Sequence, residues 1–229
     1  MFCDPTSPAR QFLAAQPWFA QTPLDVQQRL QDGVEVWSVD KGSIALVAGE
    51  PARGWYAVLY GLMQLQSTAP NGKVAAFLGV PSGEWFGEGS VLKTEPRRYE
   101  VAALRDSQLL CIPRVLFGEL RQTSLAFNQH LVDHLNMRLG QAMASIEAVR
   151  IRSAEQRVAM CLSGLFWKGA RRIDLSQEEI GHLSGLSRQT VNRALHELER
   201  QQLVSIQFAR VRIVDENNLN RFIQQPDGG

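Results

Sequence analysis

Cysteine is scarce in this sequence: Cys3, Cys111 and Cys161 are the only three in 229 residues, odd in number and far apart. That excludes a disulfide framework, a CxxC redox pair and an all-cysteine zinc or iron–sulfur site within one chain. Long apolar runs are lacking too. The longest strongly apolar stretch, around Tyr56 to Met63, falls far short of the roughly 20 residues that cross a bilayer. The opening MFCDPTSPAR has neither the basic nor the apolar region of a signal peptide. There is no excess of charge of either sign, with 24 basic against 23 acidic residues and a net charge of +1. Splitting after Arg150 leaves 13 basic and 14 acidic residues before it, and 11 and 9 after it. Any nucleic-acid contact must therefore come from a local cluster. No GxSxG, Walker loop, HExxH or paired carboxylates at glycosidase-like positions occur, so no enzyme is expected. What is present is 45% hydrophobic and 21% charged, enough to bury a real core. The expectation is a soluble, reduced, cytoplasmic protein of one large or two modest domains.

Three textures follow one another. From about 34 to 113, short β-type runs (VEVWSV, SIALVAG, WYAVLYG, LMQLQS, VAAFLGV, YEVAAL, QLLCIP) alternate with glycine-rich turns, and Asn71-Gly72 is a strong hairpin signal. They imply a small antiparallel barrel or sandwich. PLDVQQRLQD, ahead of them, reads as a short helix. From about Pro113 to Arg150 the glycines thin out and the period becomes helical, with an apolar stripe from Leu125 through Leu131, Val132, Leu135, Leu139, Ala142, Met143 and Ile146 to Val149. This stripe fits a core helix lying across the barrel and equally a parallel dimer seam. In the seam reading, Leu131, Leu135, Leu139, Ala142, Met143 and Ile146 make the interface. The last texture is helical with breaks: a helix from Arg157 to Phe166, then one from Ser176 to Ser184 opened by the Ser176/Glu179 capping box and stopped by Gly185. A third runs from the N-cap Ser187 to about Gln201, and LVSIQFARVRIVD reads as two strands turning near Ala209-Arg210. This is a winged helix-turn-helix. The fold class is α+β, with a β-roll over 1–122, a dimerisation helix over 123–150 and a DNA-binding domain over 151–229.

The third helix carries the chemistry. Val191, Ala194, Leu195 and Leu198 form its buried face, so Arg188, Gln189, Asn192, Arg193 and His196 show on the other. Long hydrogen-bonding side chains near a helix N-terminus suit major-groove readout, Arg to guanine and Gln or Asn to adenine. A merely solvated face would mix Glu and Lys at i,i+4, and here the Glu residues come further along.

At this point LSQEEIGHLSGLSRQTVNRALHELERQQLV resembles the DNA-binding segment of the cyclic-AMP receptor protein / fumarate–nitrate regulator (Crp/Fnr) family of bacterial transcription regulators. GEWFGEGSVL followed by RRYEVAAL looks like that family's β-roll cassette, and the Leu131 to Val149 stripe looks like its dimer helix. The resemblance spans about residues 20 to 222. It implies a β-roll of the cyclic-nucleotide-binding type and a homodimer on a palindromic DNA operator, with RNA polymerase as a further partner. By the same resemblance Arg188, Gln189 and Arg193 fall on the base-reading positions, Gln189 standing where the cyclic-AMP receptor protein has Glu. Asn192 and Thr190 flank them, while Ser176 and Ser187 support caps and phosphate contacts.

The resemblance also raises the effector. In cyclic-nucleotide binders of the family a Glu holds the ribose, an Arg with an adjacent Ser holds the phosphate, and helix hydroxyls contact the base. Glu88 matches the first, and Arg97 or Arg98 the second. The Ser position holds Arg98 or Tyr99, and Ala142 and Met143 stand where the hydroxyls belong. The favoured expectation is a vestigial cassette in which Glu88 pairs with Arg97 or Arg98, cyclic AMP being compatible but not favoured. With Cys3 alone near the N-terminus, no iron–sulfur cluster is expected. His130 and His134, at i,i+4, could bind metal or haem, but the expectation is solvated residues beside the seam, with no metal and no haem. Cys111 and Cys161 read as inert packing residues. The rival class is a small-molecule sensor whose winged-helix module mediates protein contacts.

Overall fold

The computed structural model describes residues 7–163, 167, 174–207 and 210–225, which fall into two compact units. One comprises residues 1–67 and 79–138, the other 68–78 and 139–229.

The first unit opens with α1 (Pro8–Ala14), whose N-cap Ser7 accepts from Arg10 N and whose first position is proline, a residue with no amide N–H to leave unsatisfied there. A short 3₁₀ turn (Phe19–Gln21) leads to α2 (Leu24–Gly33), where Val26 and Leu30, four apart, are buried. Eight strands follow: β1 (Glu35–Val39), β2 (Ile44–Leu46), β3 (Gly54–Tyr60), β4 (Leu62–Thr68), β5 (Val74–Pro81), β6 (Trp85–Phe86), β7 (Glu100–Ala103) and β8 (Ser107–Pro113). They form two four-stranded sheets ordered β1-β8-β3-β6 and β2-β7-β4-β5, antiparallel in each pairing with a described register. A helix not foreseen in the sequence, α3 (Glu88–Lys93), sits between β6 and β7.

The inner strands β3 and β8 of the first sheet are buried on both faces, which explains their apolar runs. Side chains alternate across a strand, so Tyr56, Val58, Leu109 and Cys111 meet Met63, Leu65, Val80 and Val101 inside the roll. Trp55, Ala57, Leu110 and Ile112 point the other way, onto Leu13, Trp18, Leu30, Phe117 and Phe127. Trp55 and Trp85 stack at 4.0 Å between ring centres in that outer layer.

The long helix expected over 123–150 is preceded by a separate one that the sequence reading did not delimit. Α short α4 (Arg114–Thr123) ends at Ser124, whose hydroxyl then accepts from Phe127 N (3.2 Å) and starts α5 (Leu125–Ile151). Along α5, Phe127, Leu131, His134 and Arg138 are buried at steps of four, three and four. Leu131 therefore belongs to the first unit's own core and not to a dimer seam, a correction to the sequence reading. The large apolar residues left exposed between the two ends of α5 are Val132, Leu135, Leu139, Met143, Ile146 and Val149. The sevenfold spacing of Val132, Leu139 and Ile146, with Leu135, Ala142 and Val149 between, is a heptad pattern.

In the second unit α6 (Ala154–Leu162) begins three residues earlier than expected, because Ser153 and Gln156 close a capping box; the expected end at Phe166 lies outside the described residues. Then come α7 (Gln177–Ser184), α8 (Arg188–Arg200), and the hairpin β9 (Val204–Gln207) and β10 (Arg210–Ile213), paired Gln207 to Arg210. The turn expected near Ala209-Arg210 falls partly outside the described residues. A final helix that the sequence reading missed, α9 (Glu216–Gln224), is capped by Asp215 and tied to α6 by Gln156 Nε2, which donates to the carbonyls of Phe222 (3.2 Å) and Gln225 (2.8 Å).

Candidate nucleic-acid interface and effector cassette

The geometry of the α7–α8 pair follows from three local devices. Ser176 Oγ accepts from Glu179 N (3.3 Å) while Glu179 Oε2 accepts from Ser176 N (2.7 Å), so two amides at the start of α7 are satisfied reciprocally. Gly185 at φ 65° takes the left-handed conformation that stops α7, and Leu186 N donates back to Gly181 O (3.0 Å). Ser187 Oγ then accepts from Thr190 N (3.1 Å) and opens α8. Val191, Ala194, Leu195 and Leu198 are all buried, so the helix rotation is fixed by its apolar face.

That rotation presents Arg188, Gln189 and Arg193 to solvent, and among the described residues neither arginine has an ion-pair partner. The charges further along behave differently. Glu197 holds Arg200 at 2.6 Å, which pulls its carboxyl down to about 2, and His196 lies 3.6 Å from Glu199. The free cations are thus confined to the first half of α8, the half that can enter a groove. Asn192 is half-buried with Nδ2 3.5 Å from Gln177 Oε1, and the Thr190 hydroxyl shares a 2.9 Å hydrogen bond with Ser187. These two are less free than the sequence reading had them.

The β-roll cassette departs further from expectation. Gly87, at φ 86°, delivers the chain into α3, where a Cβ would lie 3.0 Å from the Tyr56 ring. Glu88 is buried, but its partner is not an arginine of the cassette. Its Oε2 lies 3.5 Å from His134 Nε2 on α5. Burial pushes the Glu88 carboxyl up, yet the adjacent His134 imidazole, with the Arg138 charge behind, outweighs it and leaves the group below its usual value. Of the two candidate arginines, Arg97 is buried and Arg98 exposed. Arg97 Nη2 donates to the Tyr56 hydroxyl (2.5 Å) with the guanidinium over that ring, and Arg98 pairs with Glu95 at 2.9 Å. The expected Glu88–arginine pair is therefore corrected to two separate pairs. Tyr99, beside them, is pushed up to about 12 by burial and the Glu88 charge. Ala142 is half-buried and Met143 exposed; neither offers a hydroxyl.

The two histidines are also corrected. His134 is 6% exposed, and His130 packs half-buried against Trp18 and Trp55, so neither is a solvated seam residue. Among the described residues no group of three or more His, Cys, Asp or Glu side chains could hold a metal ion. Arg138 and Tyr56 escaped the sequence reading, as did the place of His134 beside Glu88. The clue was there, since His134 and Arg138 continue the buried steps begun by Phe127 and Leu131. Arg138 Nη2 donates to Trp85 O (2.5 Å) and lies 3.7 Å from Glu84. Cys111 and Cys161 are buried free thiols pushed up to about 12 by burial, as inert packing residues should be.

Comparison with known proteins adds the following. The cyclic nucleotide-binding domain family matches residues 36–124, and the Crp-like helix-turn-helix domain family matches 156–222. A cyclic AMP receptor protein of Thermus thermophilus is 28% identical over 167 residues, covering 72% of this chain and 77% of that protein. A CRP-like cAMP-activated global transcriptional regulator of Mycobacterium tuberculosis is 25% identical over 189 residues, covering 79% and 84%. In fold the chain resembles FixK2 from Bradyrhizobium japonicum (TM-score 0.70, 21% identity, 82% of this chain and 96% of that one). It also resembles a Crp/Fnr-family transcriptional regulator from Thermus thermophilus (TM-score 0.63, 22% identity, 84% and 100%).

Proposed function

The chain belongs to the Crp/Fnr family of transcription regulators, and from that premise we propose that it works as a cytoplasmic homodimer reading an inverted-repeat operator through Arg188, Gln189 and Arg193. The observation that carries this reading is the exposed, unpaired pair Arg188 and Arg193 with Gln189 between them on the first half of α8. Arg188 and Arg193 donate to guanines, and Gln189 favours adenine where a carboxylate would favour cytosine. Ser176 and Ser187 hold the helix ends whose amides face the phosphates. Thr190 and Asn192 buttress those contacts. The dimer forms along the exposed α5 stripe, without Leu131. RNA polymerase is the further partner of a regulator of this kind. Binding isotherms on duplexes differing at single base pairs test the assignment. Arg193→Ala relaxes discrimination at one position per half-site, whereas equal losses on specific and random DNA would refute base reading.

For the β-roll, our reading is that cyclic AMP is not the effector. Glu88 is engaged by His134 and Arg97 by Tyr56, while Arg98 points outward and Ala142 and Met143 lack base-contacting hydroxyls. Calorimetric titration with cyclic AMP then gives no saturable heat; one ligand per subunit would contradict it. A second reading rests on one atom: Arg97 Nε is buried without a hydrogen-bond partner, as in a cassette that takes another anionic ligand. Under that reading other anionic nucleotides give heat that Arg97→Ala removes.

A further inference from the structure

Between the long helix α5 and the DNA-binding motif the chain leaves a joint of two residues. α5 ends at Ile151 and α6 begins at Ala154, with Arg152 and Ser153 between them. Both sides of the joint belong to the second unit, which holds the later α5 stripe from Leu139 to Val149 as well as α6 to α9. Ser153 is committed to the capping box of α6, and Arg152 N extends the ladder of α5 by one bond, to Ala148 O (3.2 Å). The Arg152 side chain then fastens the joint from both sides.

Its Nη2 donates to Glu147 Oε1 (2.5 Å) on α5, and its Nη1 donates to the carbonyl of Ile223 on α9. Glu147 follows Ile146 in the chain, so it lies beside the heptad stripe and not on it. The last carbonyls of a helix are short of partners within the helix. At the end of α9 side chains supply them: Arg152 for Ile223 O, and Gln156 Nε2 for Phe222 O and Gln225 O. A guanidinium is also the favoured charge at that end of a helix. α9 packs on α6, burying Leu219 and Ile223, and its Asn220 Oδ1 accepts from Ser163 Oγ (2.7 Å). α6 packs in turn against α8. One arginine thus ties the end of α5 to the body that carries the reading helix.

We propose that Arg152 makes the protein selective for the spacing between operator half-sites, by clasping the α5–α6 joint to Glu147 on one side and to the end of α9 on the other. The inference rests on the reading of the chain as a homodimer on an inverted repeat, and adds to it a positioning residue outside α8. One base pair more or less between half-sites shifts the second by about 3.4 Å along the duplex and by about 35° around it. A joint that swings follows such a shift, and a clasped one does not. A lysine keeps the charge of Arg152 but has a single nitrogen, so it cannot reach carboxylate and carbonyl through two rigidly spaced ones.

The test titrates the full-length protein with the inverted repeat selected from a random duplex pool, with the same repeat one base pair longer or shorter between half-sites, and with a single half-site. The native chain prefers its own spacing by about tenfold or more, because a misplaced half-site forfeits simultaneous engagement. Arg152→Ala and Arg152→Lys both bring that ratio to about threefold or less, while affinity for the single half-site stays within about twofold. Glu147→Ala, a change at an exposed position that leaves folding undisturbed, narrows the ratio in the same direction. Circular dichroism of each variant matches that of the native chain. The inference alone is overturned if the native chain is selective for spacing and the variants are equally so. It is overturned too if Arg152→Ala weakens every duplex alike while Arg152→Lys restores them, the behaviour of a plain phosphate contact. A native chain that prefers no spacing would refute the reading as a dimer on an inverted repeat, and this inference with it.

Discussion

At the residue scale, the account rests on which side chains are free and which are spoken for. Arg188 and Arg193 are free, so each should behave as a base reader: Arg193→Ala costs roughly 1–3 kcal/mol on the preferred operator and little on random DNA. Gln189→Glu should move the preference at the middle base pair from adenine towards cytosine, read by selection from a randomised duplex pool. Inside the β-roll the side chains are spoken for, and their titration has a sign. The Glu88 carboxyl sits below its usual 4.5 in the folded chain. Its stabilising contribution is complete above pH 4.5 and is lost as pH falls through the lower folded value. His130 is held below 6.5 by burial and the nearby His134, so its protonation removes stability as pH drops under 6.5. Urea midpoints measured from pH 7 to pH 3 should show both losses. Glu88→Gln narrows the gap to the native chain below pH 4.5, and His130→Phe flattens the step below 6.5. The residues of α8 were legible from sequence because solvent-facing positions follow directly from helix period. The partners of Glu88 and Arg97 were not, because Tyr56 and His134 come from a strand and a helix far away in the chain, and no local period announces such pairings.

At the element scale, short-range chemistry decides where helices start and stop. Ser187→Ala removes the acceptor for Thr190 N and should cost about 1 kcal/mol of stability. Gly185→Ala forces a side chain into the left-handed region at φ 65°, with its Cβ 3.4 Å from Arg157 Nη2, and should cost about 1–2 kcal/mol. Chemical denaturation checks both, and a loss under 0.3 kcal/mol in either variant would contradict the capping account. The capping box at Ser176, the stop at Gly185 and the Asn71-Gly72 turn could all be read from the sequence for the same reason: each is complete within a few residues. The start of the long helix was read to within two residues, at 123 against Leu125, but the separate α4 before it was not delimited. The strand β6 and helix α3 were hidden inside a segment read only as the β-roll cassette, and α9 because its packing partner Gln156 lies 66 residues from Phe222.

For the whole molecule, α5 carries two faces with different work. Phe127, Leu131, His134 and Arg138 are buried in the first unit. Leu135, Leu139, Ile146 and Val149 are left exposed on a helix of 27 residues, about 40 Å by rise. A heptad stripe of that length is the expected seam of a parallel pair. The combined variant Leu139→Glu, Ile146→Glu should therefore sediment as a monomer and lose operator affinity by two orders of magnitude or more, since the second half-site would no longer be engaged from the same molecule. An unchanged dimer would place the interface elsewhere.

The most direct test of the central claim is selection of DNA sites from a random duplex pool by the full-length protein at near-physiological salt, followed by sequencing of the bound fraction. Sequence-specific reading by a homodimer predicts enrichment of an inverted repeat with guanines at the outer read positions, an adenine-type preference between them, and half-site centres about 10–10.5 base pairs apart. Binding that enriches no sequence, or only an unpaired half-site, would contradict it.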